Sequence, residues 1–87
     1  MTRAEAIAKA RQEVVGPEEL VCARLLIFSE VEGGLHSIKD GYNDPWVWYL
    51  GFKRGFQSYA EVVYLYKTGR FIFSSAGHGP GAAPQHC

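Results

Sequence analysis

The sequence predicts an α+β fold, one N-terminal helix packed on a four-stranded antiparallel meander sheet, and three observations carry that expectation. The first is a helix-opening signature at Thr2 and Glu5, followed by small apolar residues at helical spacing. The second is a succession of apolar, β-branched and aromatic runs separated by turn formers. The third is size: 87 residues that are 47% hydrophobic and 14% aromatic suffice for one core and one domain. Lys+Arg 9 against Asp+Glu 9 leaves no formal net charge. The chain therefore has neither the surplus cations that neutralise phosphates nor an anionic surface that mimics nucleic acid.

Taken in order, Thr2-x-x-Glu5 is a capping box, in which hydroxyl and carboxylate satisfy each other's free backbone donors. It predicts a helix over residues 3–15. Ala4, Ile7, Ala8, Ala10 or Arg11, and Val14 form a narrow stripe suited to lying closely on a sheet, and Gly16-Pro17 ends the helix. Residues 20–31 read as a long strand, with Val21, Ala23, Leu25, Ile27 and Val31 on one side and Leu20, Cys22, Leu26 and Phe28 on the other. Turn formers dominate 33–45, a loop. Residues 46–53 are the second strand, 54–57 a short turn and 58–67 the third strand. Thr68-Gly69 reads as a two-residue hairpin turn leading into a fourth strand over 70–75. The single domain then spans 1–76, and Gly77 to Cys87 reads as a flexible Gly/Pro tail.

The N-terminal residues lack the uninterrupted apolar stretch of a secretory signal, and apolar runs such as Leu25 to Phe28 are too short to span a bilayer. Cys22 lies inside an apolar run and Cys87 is the last residue, so no internal disulfide framework is suggested. These readings predict a cytoplasmic protein with no membrane partner, in which Cys22 is an inert core thiol.

The Thr-x-x-Glu helix with Ala6-Ile7-Ala8-x-Ala10, closed by Gly16, precedes a strand, an aromatic-rich strand and Val62-Val63-Tyr64-Leu65-Tyr66-Lys67-Thr68-Gly69-Arg70-Phe71-Ile72-Phe73. Across residues 2–73 this order resembles the PepSY domain family, with its Ala-rich first helix ending near Gly and its final hairpin with Thr-Gly in the turn. Similar architectures occur in small bacterial immunity proteins and in phage or mobile-element inhibitors. The resemblance implies a protease-inhibitory or related binding role and carries no catalytic residue. Lys67 stands where the family often has an acidic residue, and loop 33–45 is an insertion.

Catalysis is not expected. There is no Gly-x-Ser-x-Gly elbow, and His36, His78 and His86 fall in a loop and the tail, segments poorly suited to holding atoms within catalytic tolerance. No metal or cofactor is expected either: His78, His86 and Cys87 lack the short paired spacing of a zinc site. Gly77-His78-Gly79-Pro80-Gly81 has no following helix to hold phosphate. Lys53, Arg54, Lys67 and Arg70 interleave with Phe52, Phe56, Tyr66 and Phe71, as in binders of single strands. Yet residues 33–87 hold five basic and three acidic groups, too weak a patch to favour nucleic acid.

The sharper feature is apolarity on both faces of the sheet. Eleven of twelve aromatics lie between Tyr42 and Phe73, and one short helix covers only one face. The second face calls for a cover: a homodimer through that face, a protein partner, or loop 33–45 folded back with Leu35, Ile38 and Tyr42. The resulting expectation is a non-enzymatic protein-binding module, an inhibitor or immunity-type protein that occludes its partner sterically. Trp46, Trp48 and Tyr49 would be its anchors, with Tyr42, Asn43, Asp44, Lys53, Arg54 and Phe56 supplying specificity. The alternative is a small-molecule or peptide-binding module using an aromatic sheet face.

Overall fold

The computed structural model describes residues 1–14, 19–32 and 46–87. The chain runs α1 (Arg3–Glu13), β1 (Glu19–Ile27), α2 (Phe28–Glu32), β2 (Trp46–Arg54), β3 (Ser58–Leu65) and β4 (Phe71–His78). All strand pairs are antiparallel and the sheet order is β1-β2-β3-β4, the α+β meander that the sequence predicts.

The capping box opens α1 as its residues dictate. Thr2 N donates to Glu5 Oε1 at 2.8 Å and Glu5 N to Thr2 Oγ1 at 3.1 Å, contacts that hold the Glu5 carboxyl below its usual range. The helix ends at Glu13, with Val14 as its cap. Gly16 and Pro17, the expected stop, lie outside the described residues. The buried stripe is Ala6 and Ala10, with Ile7 and Val14 packed beside them, whereas Ala4 and Ala8 of the expected stripe face solvent. Polar contacts along the helix select that rotation. Tyr64 Oη donates to Glu13 Oε2 at 2.7 Å, Lys9 Nζ to Gly69 O at 2.7 Å, and Trp48 Nε1 to Met1 O at 2.9 Å.

β1 departs from simple alternation. Its register against β2 shifts between Leu20 and Cys22, so Val21 is an extra residue. Leu20 and Ala23 therefore pack on the α1 side, and Cys22 and Leu26 on the other. The strand stops at Ile27 rather than Val31 because α2 follows. One helical turn places Phe28 and Val31, three residues apart, on the same side, where an extended chain would send them to opposite faces.

β2 supplies both cores: Trp48, Leu50 and Phe52 face α1, while Val47 and Tyr49 face away. β3 does the same with Ala60, Val62 and Tyr64 against Val63. The β3–β4 connection is longer than the expected Thr-Gly turn. Leu65 N donates to Arg70 O at 2.8 Å, so residues 66–69 form the loop. β4 continues to His78, beyond the expected end at Ser75.

The C-terminal segment corrects the reading of the cysteines. Cys22 and Cys87 form a disulfide with Cα atoms 5.6 Å apart. Between β4 and that bond the chain crosses the second face of the sheet. A side chain on Gly51 would have its Cβ 2.6 Å from Pro84 Cβ and 2.5 Å from Cys87 Sγ, so only glycine lets the segment seat on β2. Gln85 N donates to Glu61 Oε1 at 3.4 Å, His86 N to Tyr49 Oη at 3.2 Å, and Arg24 Nη1 to His86 O at 2.6 Å. The Tyr49 and His86 rings meet edge to face with centroids 5.2 Å apart. A cover for the second face is thus present within the chain, from α2 at one end and residues 84–87 at the other.

Closing a loop across 65 positions of sequence contributes about 4 kcal/mol in the chain-entropy picture. Reduction by a dithiol should lower unfolding stability by about 2 to 4 kcal/mol in urea titrations. Gly51→Val should be similarly damaging with the disulfide oxidised, by about 2 kcal/mol or more, and should expose the Gln85 and His86 amides to hydrogen exchange.

Candidate functional site

The expected site residues divide by position. Tyr42, Asn43 and Asp44 lie outside the described residues. Trp48 is buried under α1 with its indole N–H bonded to Met1 O, and Tyr49 is fully buried on the opposite face beneath His86. Both rings are committed to the protein's own core. Trp46 and Phe56 are exposed, 52% and 76%, at the two ends of β2 and its following turn. Lys53 is half-buried and Arg54 exposed beside Phe56.

The β2–β3 turn is built around these last residues. Arg54 pairs with Ser58, leaving Gly55, Phe56 and Gln57 as the loop, and Gly55 adopts φ 59°, a left-handed conformation that an aromatic residue would resist. Phe56 consequently projects from the end of the sheet. Lys53 Nζ lies 4.8 Å from the centre of its ring, a cation–π contact that restrains the aromatic side chain.

The C-terminal segment braces the turn from the other side. Gly79 N donates to Gln57 O at 2.8 Å and Gly81 N to Phe56 O at 3.1 Å. Two shallow clefts flank the ring. One, of about 560 Å³, is lined by Phe56, Gln57, His78, Gly79, Pro80 and Gly81. The other, of about 500 Å³, is lined by Glu19, Leu20, Val21, Lys53, Gly55 and Phe56. Val21, the bulge residue of β1, is itself exposed and adds apolar surface to the second cleft.

The assembled site is a projecting phenyl ring between two depressions, with Lys53 in the lining of one, Glu19 paired across the ladder with Lys53, and Arg54 exposed at the end of β2. It offers apolar area, cation–π capacity and positive charge. Sequence reasoning singled out Phe56, Lys53 and Arg54 and missed Val21, Gln57 and Pro80. The bulge brings Val21 and the returning C-terminal segment brings Pro80 to the turn that already holds Gln57, and neither the bulge nor the return leaves a mark near the turn in the sequence.

At the opposite end, Leu25, Trp46 and Tyr66 are exposed on the α1 side of the sheet. Tyr66 N donates to Trp46 O at 3.0 Å, and the Tyr66 ring is 6.1 Å from that of Trp48. Glu61, 5% exposed, is a buried charged residue whose carboxylate accepts from Gln85 N. No group of three His, Cys, Asp or Glu among the described residues is placed to hold a metal. No described helix is long and apolar enough to cross a membrane.

The chain matches no family model, no curated protein and no solved structure. The resemblance to PepSY domains therefore rests on its motifs alone.

Burial pushes the phenols of Tyr49 and Tyr64 well above their ordinary 10.0, reinforced by the carboxylates of Glu61 and Glu13 respectively. Raised folded-state values stabilise the protein fully below pH 10.0, and the benefit is lost as pH climbs above it, where phenols of the unfolded chain ionise. Stability should therefore fall with rising pH in strongly alkaline buffer. Tyr49→Phe and Tyr64→Phe should each remove one late-titrating phenol from a spectrophotometric titration; a folded wild type with no late-titrating phenol would contradict this.

Proposed function

We propose that this chain is a non-enzymatic protein-binding module of the inhibitor or immunity type, which inserts Phe56 into an apolar socket on a partner and occludes that surface. The observation that carries the reading is Phe56 itself: 76% exposed, at the tip of a tight turn braced on both sides. Leaving a Phe side chain in water forgoes about 1.5 to 3 kcal/mol, a cost that a binding anchor recovers on docking. Lys53 and Arg54 favour a socket edged with carboxylates, which would guide approach and fix orientation. The mechanism is steric and involves no bond making. A single aromatic anchor with a polar surround matches the usual distribution of binding energy in protein interfaces.

The small-ligand reading called for an open aromatic sheet face. Trp48, Phe52 and Tyr64 are covered by α1, and Tyr49 by the C-terminal segment, so no specific observation favours it.

The disulfide also bears on compartment. The cytoplasmic expectation rested on the lack of a secretory stretch and of a long apolar run, with unpaired cysteines fitting it, and a Cys22–Cys87 bond is the kind that persists where conditions are oxidising. We infer an oxidising compartment as the site of action.

Co-purification with the products of neighbouring genes, under non-reducing conditions, identifies the partner. Phe56→Ala should then weaken binding by about 2 kcal/mol or more, roughly 30-fold, while leaving the melting temperature unchanged because the ring is mostly outside the core. Equal affinity of wild type and variant would overturn the reading.

A further inference from the structure

We propose that two copies of this chain join edge to edge through β4, antiparallel and centred on Ser75, to form one continuous sheet. The meander β1-β2-β3-β4 has two edges, and they differ. β1 is obstructed: it carries the bulge at Val21, the charges Glu19 and Arg24, and an Arg3 side chain whose Nε donates to Ala23 O at 3.3 Å. Bulges, charges and covering side chains are the devices that keep an edge strand from pairing with another chain.

β4 carries almost none of them. Phe71-Ile72-Phe73-Ser74-Ser75-Ala76-Gly77-His78 contains no Lys, Arg, Asp, Glu or Pro, and its single register irregularity, opposite Val63/Tyr64, is confined to its start. Ser74, Ser75, Ala76 and His78 are exposed. Gly79 N bonds to Gln57 O, which sets the alternation of the ladder. Phe73, Ser75 and Gly77 turn their main-chain groups toward β3, and Ser74, Ala76 and His78 turn theirs outward. The C-terminal segment leaves β4 toward the β2–β3 turn and β1, so it does not cover this edge.

A second copy is the occupant that fits. Its edge is uncharged as well, so no like charges oppose one another, and every copy brings the same outward donors and acceptors, which have no partner among the described residues. Centring on Ser75 lets Ser74 exchange main-chain bonds with Ala76 of the second copy. Phe73 then lies opposite Gly77, whose face the Tyr59 ring of its own chain already covers, and the two Ser75 residues face each other on the two-fold axis. Pairing of one short edge buries less than a standard interface, so the dimer should be weak and concentration-dependent. It does not use Phe56 and is independent of the function proposed above.

Light scattering coupled to gel filtration, from micromolar to millimolar protein under non-reducing conditions, tests this. Wild type should approach twice the monomer mass. Ser75→Lys and Ser75→Glu, which each place like charges on the axis, should weaken self-association by about tenfold or more. An equimolar mixture of the two variants should recover dimer, because Lys then faces Glu, and recovery also demonstrates that both variants are folded. Ser75→Thr and Phe56→Ala should dimerise as wild type does. A wild type that stays monomeric throughout, a Ser75→Lys variant that dimerises normally, a Lys/Glu mixture without recovery, or loss of the dimer in Phe56→Ala would overturn the proposal.

Discussion

The seating of the C-terminal segment on Gly51 is the contact on which the rest of the structure depends. An 87-residue chain with apolar side chains on both faces of a sheet must cover both, and a helix as short as α1 covers one. On the other face Val47, Tyr49 and Val63 are fully buried. Phe28 and Val31 of α2 contribute at one end, and Pro84 to Cys87 at the other. The second cover has no secondary structure of its own. It is held by Cys22–Cys87, by backbone donors to Glu61 and Tyr49, and by the absence of a side chain at Gly51. Each of those is needed because an irregular segment has no internal hydrogen-bond ladder to offset its ordering entropy.

The same segment links core and site. On leaving β4 it bonds to the carbonyls of Gln57 and Phe56 before it crosses the sheet, so the chain that closes the second core also stiffens the turn presenting Phe56. A rigid anchor loses little conformational freedom when it docks, whereas a floppy one must be ordered at the expense of affinity. The Glu61 carboxylate shows how tightly the parts are coupled. Its burial is tolerable because Gln85 N lies within hydrogen-bonding distance, and that amide is in place only while the segment is seated.

How much of this could be read in the sequence follows from how local each signal is. The capping box at Thr2 and Glu5, the alternation of Trp48, Leu50 and Phe52 against Val47 and Tyr49, and the meander order are written within a few residues of where they act, and the fold class followed from them. The bulge at Val21 was not visible, because a one-residue insertion leaves an apolar strand looking apolar on either side. α2 was hidden because five residues are too few to establish a period. The disulfide was missed because its partners are 65 positions apart and one of them ends a Gly/Pro-rich stretch. Two clues stood in plain view: an even cysteine count, and a lone glycine in the otherwise bulky run Trp46 to Phe52. A glycine there weakens a strand unless something lies against it, and Pro84 does. Of the candidate site, Phe56 and Arg54 were legible because residues at a strand end and in its turn are exposed whatever packs elsewhere, and half-buried Lys53 because it directly precedes them. Trp48 and Tyr49 read as anchors in the sequence because ring type alone does not tell which face has a lid.

Phe56 and the β4 edge are different kinds of unfinished surface. At Phe56 the backbone is satisfied, by the tight turn and by Gly79 and Gly81, and what is exposed is hydrocarbon, which attracts any complementary apolar socket without regard to direction. Along Ser74 to Gly77 of β4 the side chains are small and uncharged, and what has no partner among the described residues is backbone, which demands a strand at a fixed spacing and register. The first suits a partner of different shape, where charge from Lys53 and Arg54 supplies the selectivity that an apolar ring lacks. The second suits a partner with the same strand geometry. The two surfaces meet at His78, which ends β4 and lines the cleft beside Phe56, but they satisfy different physical deficits, and paired copies would present two Phe56 anchors on one sheet. Two linked anchors bind a repeating or dimeric partner more tightly than either alone, provided their spacing matches, since the second docking step is intramolecular.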